Sequence, residues 1–230
     1  MRRILLMLSI GALVSGCSGL LHSDDPPVQI YYLRAAVSPG LAAAEQKQAL
    51  DAARTAAANS AKSSIDVPPS LQVPRPQADP GLATELITLI QSDHRMDHYG
   101  GSSWPSTLTD VVETLAIDTL RASGHWSAVH DSPSPFTADY LLQINIRRFE
   151  ADYTAGGEAL KVYVTLDCTI ARRLGRELLA SFVAEGVADA NANKMSAVVA
   201  AFEKAANMAL ADMAQRSSEA VKTSTAPSTP

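Results

Sequence analysis

The sequence predicts an α+β fold, an antiparallel meander sheet packed by two main helices, on three observations. Two stretches in the second half, 140–147 and 161–170, alternate apolar and polar residues with a period of two. A third apolar run, Leu178–Ala184, follows them after a turn around Gly175. Two further segments, from Leu108 and from Asn191, repeat apolar residues at helical spacing. Beside this frame the sequence predicts a mobile Ala-rich insertion over 35–64 and a disordered C-terminal tail over 218–230, rich in Ser, Thr, Pro and Ala.

The N-terminus is read first. Met1-Arg2-Arg3 precedes an apolar stretch from Ile4 to Val14, as long as a signal-peptide core and too short to cross a ~30 Å hydrocarbon layer. It ends in Leu13-Val14-Ser15-Gly16-Cys17. Small residues let the backbone enter a peptidase in extended form, and the cysteine supplies a thiol for a thioether with diacylglycerol. This arrangement resembles a bacterial lipobox, with Val14 where Leu is most frequent. The expectation is a signal peptide over 1–16, lipidation at Cys17 and a polar tether over 17–27. Bacterial lipoproteins of this kind carry three acyl chains, palmitate among them, and Ser18 in place of Asp favours the outer membrane. Loss of 1–16 removes two arginines, so Lys+Arg falls from 19 to 17 against 24 acids and the net charge moves from −5 to near −7.

Each later element has its own reason. Val28–Arg34 alternates, with β-branched and aromatic content, and reads as a strand. Residues 41–58 favour helix but hold only Leu41 and Leu50 as large apolar side chains, so that helix reads as a peripheral excursion. Leu71–Pro76 carries two prolines that cannot donate to a ladder, which predicts an edge strand or an extended segment. Leu86–Ile90 is an apolar run of strand length, His94–Tyr99 a second candidate strand, and Gly100–Ser106 a loop by composition. Ser106 is placed to cap a helix whose buried face is Leu108, Val111, Val112, Leu115 and Thr119 or Leu120, ending at Ser123-Gly124. A short strand over His125–Val129 follows. Thr154–Glu158 and Arg172–Arg176 are turns between the three meander strands. The last helix, Asn191–Ser217, presents Met195, Val198, Val199, Phe202, Ala206, Leu210 and Met213 to the dry side of the sheet. The whole of 28–217 reads as one domain.

Composition excludes several functions. Bulk electrostatic binding of nucleic acid needs a basic footprint, and the pI here is near 5.5. No apolar run reaches the ~18 residues of a spanning helix. Two cysteines cannot staple a disulfide scaffold, and with Cys17 alkylated Cys168 is expected to be a buried free thiol. His94-Arg95-Met96-Asp97-His98 would gather on one face of a helix, but its local pattern is strand or turn, which separates neighbours and argues against a metal. Gly100-Gly101-Ser102-Ser103 lacks the frame of a nucleophile elbow, and no phosphate-binding loop is present. Nothing here predicts an enzyme, a metal or a cofactor.

Taken in order, the lipobox, the Tyr31-Tyr32-Leu33 strand, Val73-Pro74-Arg75-Pro76, a Tyr99…Trp104-Pro105 loop leading into a helix at Thr107, and Asp139-Tyr140-x-Leu142 resemble one family. The chain is similar, over roughly Val28 to Ala214, to the ABC-type transport auxiliary lipoprotein component. The resemblance implies a non-catalytic, membrane-tethered partner of a transporter with a mammalian-cell-entry (MCE) domain protein, an ABC ATPase and a permease. It also implies an outer-membrane location and a phospholipid or other apolar cargo. Ser103 stands where the family commonly has Arg, which puts the mode of docking in doubt. Tyr99, Trp104 and Pro105 are the candidate contact residues; Trp104 alternatively packs over the domain's own helix. Self-association stays open. An outer-membrane assembly or structural lipoprotein, such as a barrel plug or chaperone, is the alternative, and a secreted hydrolase a weaker one.

Overall fold

The computed structural model describes residues 27–36, 68–132, 134–154 and 160–225. The signal peptide, Cys17, nearly all of the tether and all of the Ala-rich stretch but Ala35 and Ala36 lie outside them. In chain order the elements are β1 (Gln29–Ile30), β2 (Ser70–Gln72), β3 (Gln77–Ala78), β4 (Leu86–Ile90), β5 (Met96–Ser103), α1 (Leu108–Ala122), β6 (Ala128–His130), β7 (Tyr140–Asp152), β8 (Leu160–Arg172), β9 (Glu177–Ala190) and α2 (Met195–Thr225).

The alternating runs make the three longest strands, and these pair antiparallel in succession, β7 with β8 and β8 with β9. The sheet they belong to is mixed rather than an antiparallel meander throughout. The free edge of β7 carries backbone donors and acceptors that need partners. Short strands from the first half supply them in parallel: Leu71 pairs Tyr140, Gln77 pairs Asn145 and Leu89 pairs Ala151. Beyond them β4 and β5 form an antiparallel pair, and β1 joins β5 in parallel.

Several sequence expectations change here. The strand expected over 28–34 is paired only at Gln29 and Ile30. β2 is not an edge strand, since β6 lies on one side and β7 on the other; Pro74 and Pro76 fall beyond its last paired residue. Gly100–Ser103 is not loop but the end of β5, where Ser102 pairs with β1 and Ser103 with both β1 and β4. Residues 218–225 are not tail but the last turns of α2. Ser218 and Val221 are buried there, and the Ser218 and Ser224 hydroxyls donate back to the Gln215 and Val221 carbonyls.

The core lies between the sheet and the two helices. α2 crosses β9, β8 and β7, with α1 packed beside it. Val198, Phe202, Leu210 and Met213 of α2 are buried, each contributing roughly 1.5–3 kcal/mol by leaving water. The seam with β9 is made of small residues, Ala184, Gly186 and Ala188 beneath Ala205 and Ala209. A Cβ at Gly186 would stand 1.9 Å from the Ala205 carbonyl oxygen, so only glycine permits this approach. Arg216 of α2 reaches over the Phe182 ring, 4.5 Å from its centroid, and donates to the Val183 carbonyl at 2.7 Å, covering part of the β9 edge. No helix among the described residues is long and apolar enough to cross a membrane.

Candidate partner-binding site

The corner from Tyr99 to Pro105 joins β5 to the start of α1 and carries all three candidate residues. Its backbone bends at Gly101, where φ is +64° and a side chain would strain the chain. The β4–β5 register shifts opposite this bend, between Leu86 and Thr88. Gly100 and Gly101 are exposed, and a Cβ on either would meet nothing within 4 Å. Pro105 is exposed as well.

Trp104 is in the core, 1% exposed, and not on the contact surface. Its ring meets Phe149 and Phe202 edge-on, with centroids 6.0 and 5.4 Å away, while those two stack at 5.3 Å. Its backbone N–H donates to the Glu85 carbonyl at 2.7 Å. The indole is therefore the inner anchor of the corner, and Pro105 and the glycine pair are its exposed side. The packing partner is α2, the second of the two roles open to this side chain.

Tyr99 is half-buried, its hydroxyl 3.0 Å from that of Tyr153, which donates to Asn193 Oδ1 at 3.0 Å. Burial first, and then this hydrogen bond, push the Tyr99 phenol far above its ordinary range, so it stays neutral. The chain of three side chains ties β5 to the segments that follow β7 and β9. Sequence reading did not find Tyr153 or Asn193, because nothing local pairs them with Tyr99.

The neighbouring motif residues are structural pins. Arg75 donates to Thr107 Oγ1 at 2.9 Å and pairs with Asp110 at 2.6 Å, fastening the segment after β2 to the first turn of α1. Thr107, not Ser106, is the N-cap; its hydroxyl turns to Asp110 rather than to a backbone N–H. The Asp139 carboxylate accepts from both the N–H and the hydroxyl of Ser70.

His94 sits in the β4–β5 turn with φ +65°, and His98 lies on β5. Among the described residues no three His, Cys, Asp or Glu side chains gather where a metal could bind. Cys168 is a fully buried free thiol, pushed up to about 12 by its burial. An open cleft of about 830 Å³ lies between Pro69, Asp139, Tyr140 and the Arg172–Leu174 turn. A second concavity of about 440 Å³, at the end of α1 against α2, includes Ser123, whose hydroxyl is committed to the Leu120 carbonyl.

Comparison with known proteins agrees with this frame. Protein XCC0632 from Xanthomonas campestris, of family DUF330, is similar at 23% identity and a TM-score of 0.64, over 69% of this chain and 88% of that one. A second solved structure, of an uncharacterized protein, is similar at 14% identity and a TM-score of 0.53, over 66% of this chain and 92% of that one. Both likenesses concern the fold alone. No curated protein matches. The family model for the ABC-type transport auxiliary lipoprotein component matches residues 49–214. That span takes in the corner, both of its pins and most of α2, and the chain belongs to this family of transport auxiliary lipoproteins.

Proposed function

We propose that this protein is a lipid-anchored periplasmic accessory subunit of an MCE-type ABC transport system. It serves the movement of phospholipid or another apolar molecule across the envelope as a docking component and not as a catalyst. The observation that carries this reading is the family match over 49–214. The lipobox ending at Cys17 supports the anchor, and Ser18 supports the outer membrane as its location. A single acyl chain, at ~0.8 kcal/mol per buried methylene, holds only marginally, whereas several anchor stably. Tethering also raises the effective concentration of a partner near that membrane, so a small contact suffices.

The contact we assign to the partner is the outer side of the Tyr99–Pro105 corner. Trp104 holds this corner rigid from within, and Pro105 with the glycine pair forms its surface. Ser103 in place of the family's usual Arg removes a charge from the rim. Affinity purification of the tagged, lipidated chain from detergent-solubilised native membranes tests the proposal. Recovery of an MCE-domain protein with its ATPase and permease is the expected result. Recovery of an outer-membrane barrel instead would replace this reading with an assembly role.

A further inference from the structure

The segment 28–36 is a strap held to the body by four hydrogen bonds besides the β1–β5 pairing. The Tyr31 N–H donates to the Ser103 carbonyl at 2.9 Å, and the Arg34 N–H donates to Glu203 at 3.1 Å. Asn207 closes the strap's end as a second strand would, accepting from the Ala36 N–H at 2.7 Å and donating to the Arg34 carbonyl at 3.0 Å. Burial alternates along it. Tyr31, Leu33 and Ala35 pack against the core, while Val28, Ile30 and Tyr32 remain 60%, 55% and 66% exposed. Leu86 extends this outer side across the sheet, since Ile30 and Leu86 both pair with Ser103 and so share a face. Single exposed apolar residues need no explanation, but four held together on a pinned frame do.

The geometry points to the bilayer surface as what covers this stripe. The inference rests on the lipid anchor at Cys17 proposed above. Cys17 stands eleven residues before Val28, a stretch that fully extended spans at most about 40 Å. The strap is the first described part of the chain after that anchor. The stripe has the chemistry of an interface. Val28 and Ile30 are aliphatic, Tyr32 has an apolar ring with a polar tip, and Arg34 follows on the same outer side with its charged end in water. On this reading the acyl chains hold the protein to the membrane and the stripe sets which face it turns there.

The test uses the full chain purified from native membranes and reconstituted into vesicles of phosphatidylethanolamine and phosphatidylglycerol. A polarity-sensitive fluorophore is attached at Ile30→Cys, and in a second protein at Leu174→Cys, an exposed position in the turn leading to the opposite edge strand. Cys168 is buried and escapes labelling. Intact mass and vesicle flotation report the anchor independently. The expected result is a blue shift and strong quenching by spin-labelled lipid at residue 30, with neither at residue 174. An acylated, floating protein whose residue-30 probe stays as wet as the residue-174 probe overturns the stripe alone. A protein without acyl chains overturns the anchor, and the stripe with it.

Discussion

Trp104 and Phe202 meet edge to face, ring centroids 5.4 Å apart and planes at 85°, and this contact joins the entrance of α1 to the N-terminal third of α2. Phe149 of β7 completes the cluster, so helix, helix and sheet converge on one indole. Truncating it leaves a cavity that three rigid elements cannot close. Trp104→Ala is expected to cost about 3–5 kcal/mol in chemical denaturation and Trp104→Phe clearly less. A Trp104→Ala protein within about 1 kcal/mol of the parent would remove the indole from this role.

Two glycines give opposite expectations. Gly186→Ala forces a methyl against the Ala205 carbonyl, backbone against backbone, and should lower stability by about 3 kcal/mol or more while shifting α2 off β9. Gly100→Ala meets open space and should be nearly neutral. Thermal melts of the two variants side by side separate them.

The Asp139 carboxylate lies below its ordinary 3.8 because the Ser70 N–H and then its hydroxyl bond the charged form. A depressed folded value means that this stabilisation is present above the unfolded value and is lost as pH falls through the folded one. Asp139→Asn should therefore cost about 1 kcal/mol at neutral pH, a figure kept low by the exposure of the group, and the gap should close in strong acid. Melting temperatures of both proteins from neutral pH down to about 2 check the sign.

If the Tyr99–Pro105 corner meets the MCE partner, Pro105→Glu places an unpaired charge at the rim of that contact. Recovery of the partner should fall about tenfold, the equivalent of ~1.4 kcal/mol, with no change in melting temperature. Equal recovery from both proteins would move the docking surface elsewhere.

Where local pattern and tertiary packing agree, the sequence is readable. Leu86–Ile90 forms β4 over the expected residues because a short apolar run of that length buries most readily as a strand. The face read for α2 is the buried one at Val198, Phe202, Ala206, Leu210 and Met213. Gly100–Ser103 reads as loop because its composition is that of loops, and it ends a strand because Ser102 and Ser103 find β1, from a distant part of the chain, and Ser103 also finds β4. Ser218–Thr225 reads as tail for the same reason, and packing overrides composition once Ser218 and Val221 find cover. The candidate site divides likewise. An aromatic beside two glycines signals a corner, but which way Trp104 faces depends on Phe149 and Phe202, which no local spacing links to it. Arg75 and Asp139 stand out as motif residues, yet their partners, Asp110 and Ser70, are legible only in three dimensions.

The parallel pairing of β2, β3 and β4 with β7 sets an order of assembly. During synthesis these strands emerge long before the one that receives them, and until β7 has been made only the β1–β5, β4–β5 and β2–β6 pairs can close. Contacts this distant in sequence are slow to form, so the first half holds only separate strand pairs, with no strand to join them, while the ribosome works on the second. A polypeptide that leaves its native state unreachable until late is one that an export channel, which threads only unfolded chains, can still accept.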